Sequence, residues 1–197
     1  QLMQRTYGDV GLVVLRNTGL TNPTRMREFA QIIVRQDMTY EGGANPRNRM
    51  EGNVYEIGAP LVARLPYHHE MAYLGKSTSL ISFLCLDPLS DTGATFVSDG
   101  VASTDAILAT PLGQKLKDLG VCYHRSLTDA ENFIGEVGYG VYNHWQKSFG
   151  TEDPAVAQAK AEVLGLIVEW GENRLMQTRY YNPAFEYFAA LDRNMLY

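Results

Sequence analysis

Leu65-Pro66-Tyr67-His68-His69-Glu70-Met71-Ala72-Tyr73 is the stretch on which the reading of this chain turns. In an extended chain, residues two apart point to the same face. His68 and Glu70 can therefore reach one ion together while His69 points away. One imidazole and one carboxylate leave open positions on Fe(II), provided a second, distant histidine completes a facial triad. Short motifs recur by chance, and the plainer reading is a partly exposed histidine beside a solvated glutamate. The pair His68 and His69 is a poorer candidate, because adjacent residues of a strand face opposite sides. His124 and His144 stand alone and read as loop or strand-surface histidines.

Outward from this stretch, short apolar runs alternate with turn residues. The run 11–16 (GLVVLR), bounded by Gly8 and Gly19, reads as a buried strand. Asn22 offers an N-cap and Pro23 a first helical residue, and Met26, Phe29, Ala30 and Ile33 follow at helical spacing, which predicts an amphipathic helix over 23–36. Residues 40–49 (YEGGANPRNR) form a polar loop, and 53–57 (NVYEI) resume an extended path. Beyond the histidine stretch, 80–86 is a second apolar strand, 88–93 a loop and 95–97 extended. Pro111 and Gly120 bracket a helix, and 121–125 is a strand. The glycine-rich 136–143 reads as a mobile loop. Asp153 and Pro154 open a helix that Gly165 closes, and 166–170 with 175–180 make a hairpin around 171–174.

At 197 residues the chain reads as a single domain over 1–197, with no internal repeat or linker. Its net charge of −5 argues against non-specific nucleic-acid binding and supplies no basic patch for an anionic membrane. The longest apolar stretch is too short to span a bilayer, and no signal peptide is visible, so the expected setting is intracellular and soluble, in the cytoplasm or an organelle lumen. Cys85 and Cys122 lie in strand-like apolar surroundings and read as two buried free thiols. The pattern of short strands with peripheral helices predicts a mainly β domain, and other α+β folds fit that pattern too.

The residues resemble, in order and along nearly the whole chain, the TauD/TfdA-like superfamily of Fe(II)- and 2-oxoglutarate-dependent dioxygenases. The likeness is to the branch with His-x-Glu in place of His-x-Asp, as in clavaminate synthase. It runs from the strand ending at Arg16 through Tyr40-Glu41-Gly42-Gly43-Ala44-Asn45-Pro46-Arg47 and the segment from His68 to Tyr73. It continues through Phe83 to Pro88, the turn from Gly93 to Asp99, Trp145-Gln146, Phe149-Gly150-Thr151, Glu169-Trp170, Thr178-Arg179 and Pro183-Ala184. The resemblance implies a double-stranded β-helix of the jelly-roll or cupin kind, incomplete at its C-terminus. It implies His68 and Glu70 as iron ligands, and Thr95 as the residue that hydrogen-bonds a 2-oxoglutarate carboxylate. The turn here reads Thr92-Gly93-Ala94-Thr95 where relatives have Gly-Gly-Glu-Thr, and Phe188-Ala189 stands where relatives have His-Pro.

In the family, the second iron histidine and the arginine that pairs with 2-oxoglutarate come from a C-terminal stretch. No histidine follows His144 here, and the chain begins with Gln1, so 1–197 is expected to be a processed product or a fragment. Alone it is expected to hold metal and co-substrate poorly and to need a partner or a second copy over an open sheet edge. Two functions stay open. One is an enzyme oxidising, by hydroxylation or a related reaction, a small-molecule substrate with Fe(II) and 2-oxoglutarate. The other is a degenerate, non-catalytic relative serving as a structural or binding subunit. Tyr40, Arg47, Tyr73 and Trp145 are candidates to contact a substrate, and each reads equally well as an ordinary exposed aromatic or loop arginine.

Overall fold

A computed structural model describes residues 11–32, 34, 36–43, 47–56, 65–76, 78–87, 94–134 and 143–197. Two compact units are present: Gln1–Thr39 with Arg47–Ile57 and Leu80–Gly93, and Tyr40–Pro46 with Gly58–Ser79 and Ala94–Tyr197.

The first unit contains helix α1 (Pro23–Ala30) and a hairpin of β1 (Arg49–Glu51) and β2 (Val54–Tyr55). Asn22 caps α1 by accepting from the Arg25 amide at 3.0 Å, and Pro23 sits where the missing N–H costs nothing. The helix is shorter than the 23–36 predicted. Just past Ala30, Ile32 is 68% exposed, and Ile33, the next residue of the expected stripe, lies outside the described residues. The runs 11–16 and 80–86, predicted as strands, form no ladder among the described residues, and Val14, Ile81 and Phe83 are exposed. An apolar run becomes a strand only when another strand satisfies its backbone. Of the expected strand 53–57, Val54–Tyr55 pair with β1, and Ile57 lies outside the described residues.

The second unit carries the core. Helices α2 (Gly100–Leu108) and α3 (Pro111–Leu119) lead into β3 (Val121–Leu127). Helices α4 (Trp145–Phe149) and α5 (Pro154–Val163) precede β4 (Ile167–Trp170) and β5 (Met176–Asn182), and a terminal hairpin pairs β6 (Phe185–Phe188) with β7 (Arg193–Leu196). β5 is the centre of a three-stranded sheet, antiparallel to β3 on one side and β4 on the other. Residues 95–97, expected to be extended, lie in no strand, and α2 was not anticipated from sequence.

Register fixes which face is covered. Tyr123 pairs with Tyr180, Arg125 with Thr178 and Leu127 with Met176, so these side chains share one face. That face is the buried one: Leu127 and Thr178 are 1% exposed and Met176 is fully buried. Trp145, Phe149, Ala157 and Ala161 are fully buried with them. Ala157 and Ala161, four apart, form one stripe of α5, whose N-terminus Asp153 caps at the Ala155 amide. The alternation also corrects the cysteine expectation. Cys122 lies between Val121 and Tyr123, so it points away from the covered face and is exposed, as is Cys85; both thiols are free.

Seven strands thus form three small antiparallel sheets flanked by helices, and the sheets do not close into a barrel among the described residues. Residues 136–142 of the glycine-rich stretch, residues 88–93 and Ala44 to Pro46 lie outside the described residues.

Candidate functional site

The segment 65–76 is anchored at its C-terminal end. Gly75 donates its amide to the Leu164 carbonyl at 2.7 Å, and a Cβ on Gly75 would fall 2.6 Å from that same oxygen. Leu74 is 1% exposed. Tyr73 lies under Arg125 of β3, with the guanidinium carbon 4.7 Å from the ring centroid. Arg125 in turn donates to the Gly42 carbonyl at 2.7 Å and to the Gly43 carbonyl at 3.5 Å. The buried sheet face therefore sets where the histidine segment runs.

Residues 68 and 69 are in no strand, and 70–73 make a turn, with Leu74 donating to the Met71 carbonyl at 3.0 Å. This corrects the strand-end geometry expected for the pair. Met71 takes a left-handed conformation, φ 59°, which is costly for a residue with a side chain. Its side chain is buried, which holds the turn in place.

His68 and Glu70 nonetheless converge, with Nε2 and Oε2 3.7 Å apart. Nδ1 of His68 lies 2.8 Å from the Pro66 carbonyl. A carbonyl oxygen only accepts, so Nδ1 carries a proton, and in the neutral ring Nε2 presents its lone pair toward Glu70. Two donors about 2.1 Å from one ion can be up to about 4.2 Å apart, and about 3 Å apart at a right angle. The observed separation fits a shared ion after the side chains close by roughly 0.7 Å. No group of three metal-ligating side chains occurs among the described residues.

A cavity of about 370 Å³ adjoins the pair, with His68, His69, Tyr67, Tyr73, Tyr123 and Tyr197 in its wall. Burial, with a smaller contribution from neighbouring His68, pushes the His69 pKa down. Burial pushes the Tyr123 and Tyr197 hydroxyls up. His69 and Tyr197 rings lie 5.4 Å apart.

The other expected site residues scatter. Thr95 is exposed in the irregular segment before α2. Tyr40 folds over Gly43, where an added Cβ would meet its ring. Arg47 belongs to the first unit. Trp145 is fully buried, edge-on to Trp170 at 5.4 Å and beneath Arg174; it belongs to the core and does not line the cavity. Of the four expected substrate contacts, Tyr73 lies in the cavity wall. Tyr67, Tyr123 and Tyr197 were missed. Tyr123 was within reach of the two-residue period of β3, which puts it on the face of Arg125.

No protein-family model matches the chain. It is similar to a clavaminate synthase-like protein of Arabidopsis thaliana, with 26% identity over 166 residues, which is 83% of this chain and 49% of that protein. The chain spans about half the length of this relative. Among the described residues, no helix is long and apolar enough to cross a membrane.

Proposed function

We propose that this chain is part of an Fe(II)- and 2-oxoglutarate-dependent oxygenase of the TauD/TfdA-like kind, built on a double-stranded β-helix and acting on a small molecule inside the cell. The observation that carries the reading is the convergence of His68 Nε2 and Glu70 Oε2 beside a cavity, with Nδ1 engaged by the Pro66 carbonyl, which leaves Nε2 of the neutral ring for a metal. Similarity to a clavaminate synthase-like protein supports it.

The donor set fits Fe(II) as two of three ligands: a neutral nitrogen, and a carboxylate whose charge offsets part of the ion's. Iron bound there would couple the decarboxylation of 2-oxoglutarate by dioxygen to oxidation of a substrate C–H bond. The Pro66 carbonyl keeps the His68 ring oriented, and the buried Met71 turn keeps Glu70 beside it. Tyrosine rings in the cavity wall exclude water from the reacting end of a bound molecule. On the family resemblance, Thr95 would hydrogen-bond a carboxylate of 2-oxoglutarate.

The test is Fe(II)-dependent formation of succinate from 2-oxoglutarate by the protein at its full natural length. Slow turnover without added substrate, abolished in Glu70→Ala, is expected. Turnover undiminished in Glu70→Ala would overturn the assignment. A folded protein with no turnover under any iron loading would favour a non-catalytic role.

A further inference from the structure

We infer that His144 is a protonation switch at the start of α4: taking up a proton exchanges the cap of that helix for a hydrogen-bond relay to buried Asp129. The switch stands independently of the oxygenase reading.

One side-chain amide sets up the conflict. Nε2 of Gln146 donates to Oδ2 of Asp129 at 2.9 Å, and Oε1 of Gln146 accepts from the Ala130 backbone N–H at 3.1 Å. An ionised carboxylate only accepts and a backbone N–H only donates, so these two partners fix which way the Gln146 amide points. Oε1 therefore meets Nδ1 of His144, 3.1 Å away, as an acceptor. That contact is a hydrogen bond only when Nδ1 carries a proton. The same Nδ1 caps α4 by accepting from the Lys147 backbone N–H at 3.3 Å, which requires a bare lone pair. One nitrogen does not meet both demands at once. A neutral ring protonated at Nε2 keeps the cap and sets two lone pairs against each other at Gln146. An imidazolium joins His144 through Gln146 to Asp129 and leaves the Lys147 N–H uncapped.

The charges around the ring pull in opposite directions. Asp129 is 2% exposed and favours the imidazolium through the relay, and Glu131 in the neighbouring turn Ala130–Asn132 has the same sign. Arg174 of the β4–β5 turn, 3.2 Å from Asp129, and Lys147 of α4 itself favour the neutral ring. The Phe133 ring, edge-on at 5.4 Å, is uncharged.

The helix passes the change on. The Ser148 carbonyl accepts from the Gly42 N–H at 2.8 Å, and its hydroxyl donates to the Gly43 carbonyl at 3.2 Å. Those glycine carbonyls also hold Arg125, which stacks on Tyr73. A five-residue helix has few bonds to spare for a lost cap, so loosening α4 reaches the segment that carries His68.

Amide hydrogen exchange, read by NMR on the iron-free protein at its full natural length, tests this from about pH 8 to pH 5, where histidine ordinarily changes charge. Ring resonances report the protonation of His144. Rates expressed as protection factors remove the ordinary pH dependence of exchange. Lys147 and Gly42 should each lose about tenfold in protection as the ring protonates. His144→Asn keeps a capping oxygen and does not titrate, so both amides should stay protected throughout. His144→Ala should leave Lys147 fast at both ends of the range. Three results would overturn the inference: a ring that protonates without loss of protection at Lys147, a ring that stays neutral to the end of the range, or a loss that persists in His144→Asn, where His68, His69, His124 and Asp129 remain.

Discussion

The Pro66 carbonyl accepts a hydrogen bond from Nδ1 of His68 at 2.8 Å, and this contact decides which ring nitrogen faces Glu70. Nitrogen-detected NMR on ring-labelled protein above pH 8 should find the neutral His68 protonated at Nδ1. A dominant Nε2–H form would mean that the lone pair points at Pro66, and would remove the metal-binding geometry.

Arg125 ties three segments together: β3, the Gly42–Gly43 backbone and Tyr73. Arg125→Ala should destabilise the protein by about 2 kcal/mol, from lost charged hydrogen bonds and cation–π contact. Arg125→Lys should recover only part, because an ammonium cannot both stack and fork. Chemical denaturation of the three proteins checks the ordering.

Asp129 is 2% exposed, and its carboxyl is held below the usual carboxylate range. The chief cause is the Glu131 amide, with Arg174, Gln146 and His144 adding to it against the opposing effect of burial. A pKa lower folded than unfolded means that the ionised group stabilises the fold above the unfolded value, near 3.9, and that this contribution is lost as pH falls through the folded value. Asp129→Asn should therefore be less stable at pH 7 and lose less stability than wild type between pH 5 and 2. Parallel loss in both proteins would contradict this.

Trp145 is core, so Trp145→Ala should cost about 3–5 kcal/mol through an unfilled cavity. Trp145→Phe should cost less and leave affinity for ligands of the tyrosine-walled cavity unchanged. A selective loss of ligand affinity in Trp145→Phe, with stability intact, would put Trp145 back at a substrate site.

Local signals were legible where a residue type has one structural use. Pro111 and Gly120 bracket α3, with Gly120 at φ 71°, and Asp153–Pro154 opens α5. The hairpin of β4 and β5 also follows its turn residues, with Asn173 and Arg174 at positive φ. Signals that depend on a distant partner were not legible. The runs 11–16 and 80–86 look like strands in isolation, and no described strand pairs with them. For α2, the Asp99 side chain accepting from the Val101 and Ala102 amides was a readable cap that the mixed sequence after it obscured. At the site, a two-residue period brought His68 and Glu70 together on paper, whereas the chain does it with a turn at Met71. The cavity tyrosines come from three segments as far apart in sequence as Tyr67 and Tyr197, which only folding brings to one wall.

The central claim is that His68 and Glu70 hold one Fe(II), and anaerobic Fe(II) titration of the protein at its full natural length tests it most directly. Wild type and His69→Ala should bind one equivalent, while His68→Ala and Glu70→Ala should each weaken binding by at least a hundredfold with folding preserved, since both side chains are partly exposed. One equivalent bound with undiminished affinity by both His68→Ala and Glu70→Ala would contradict the account.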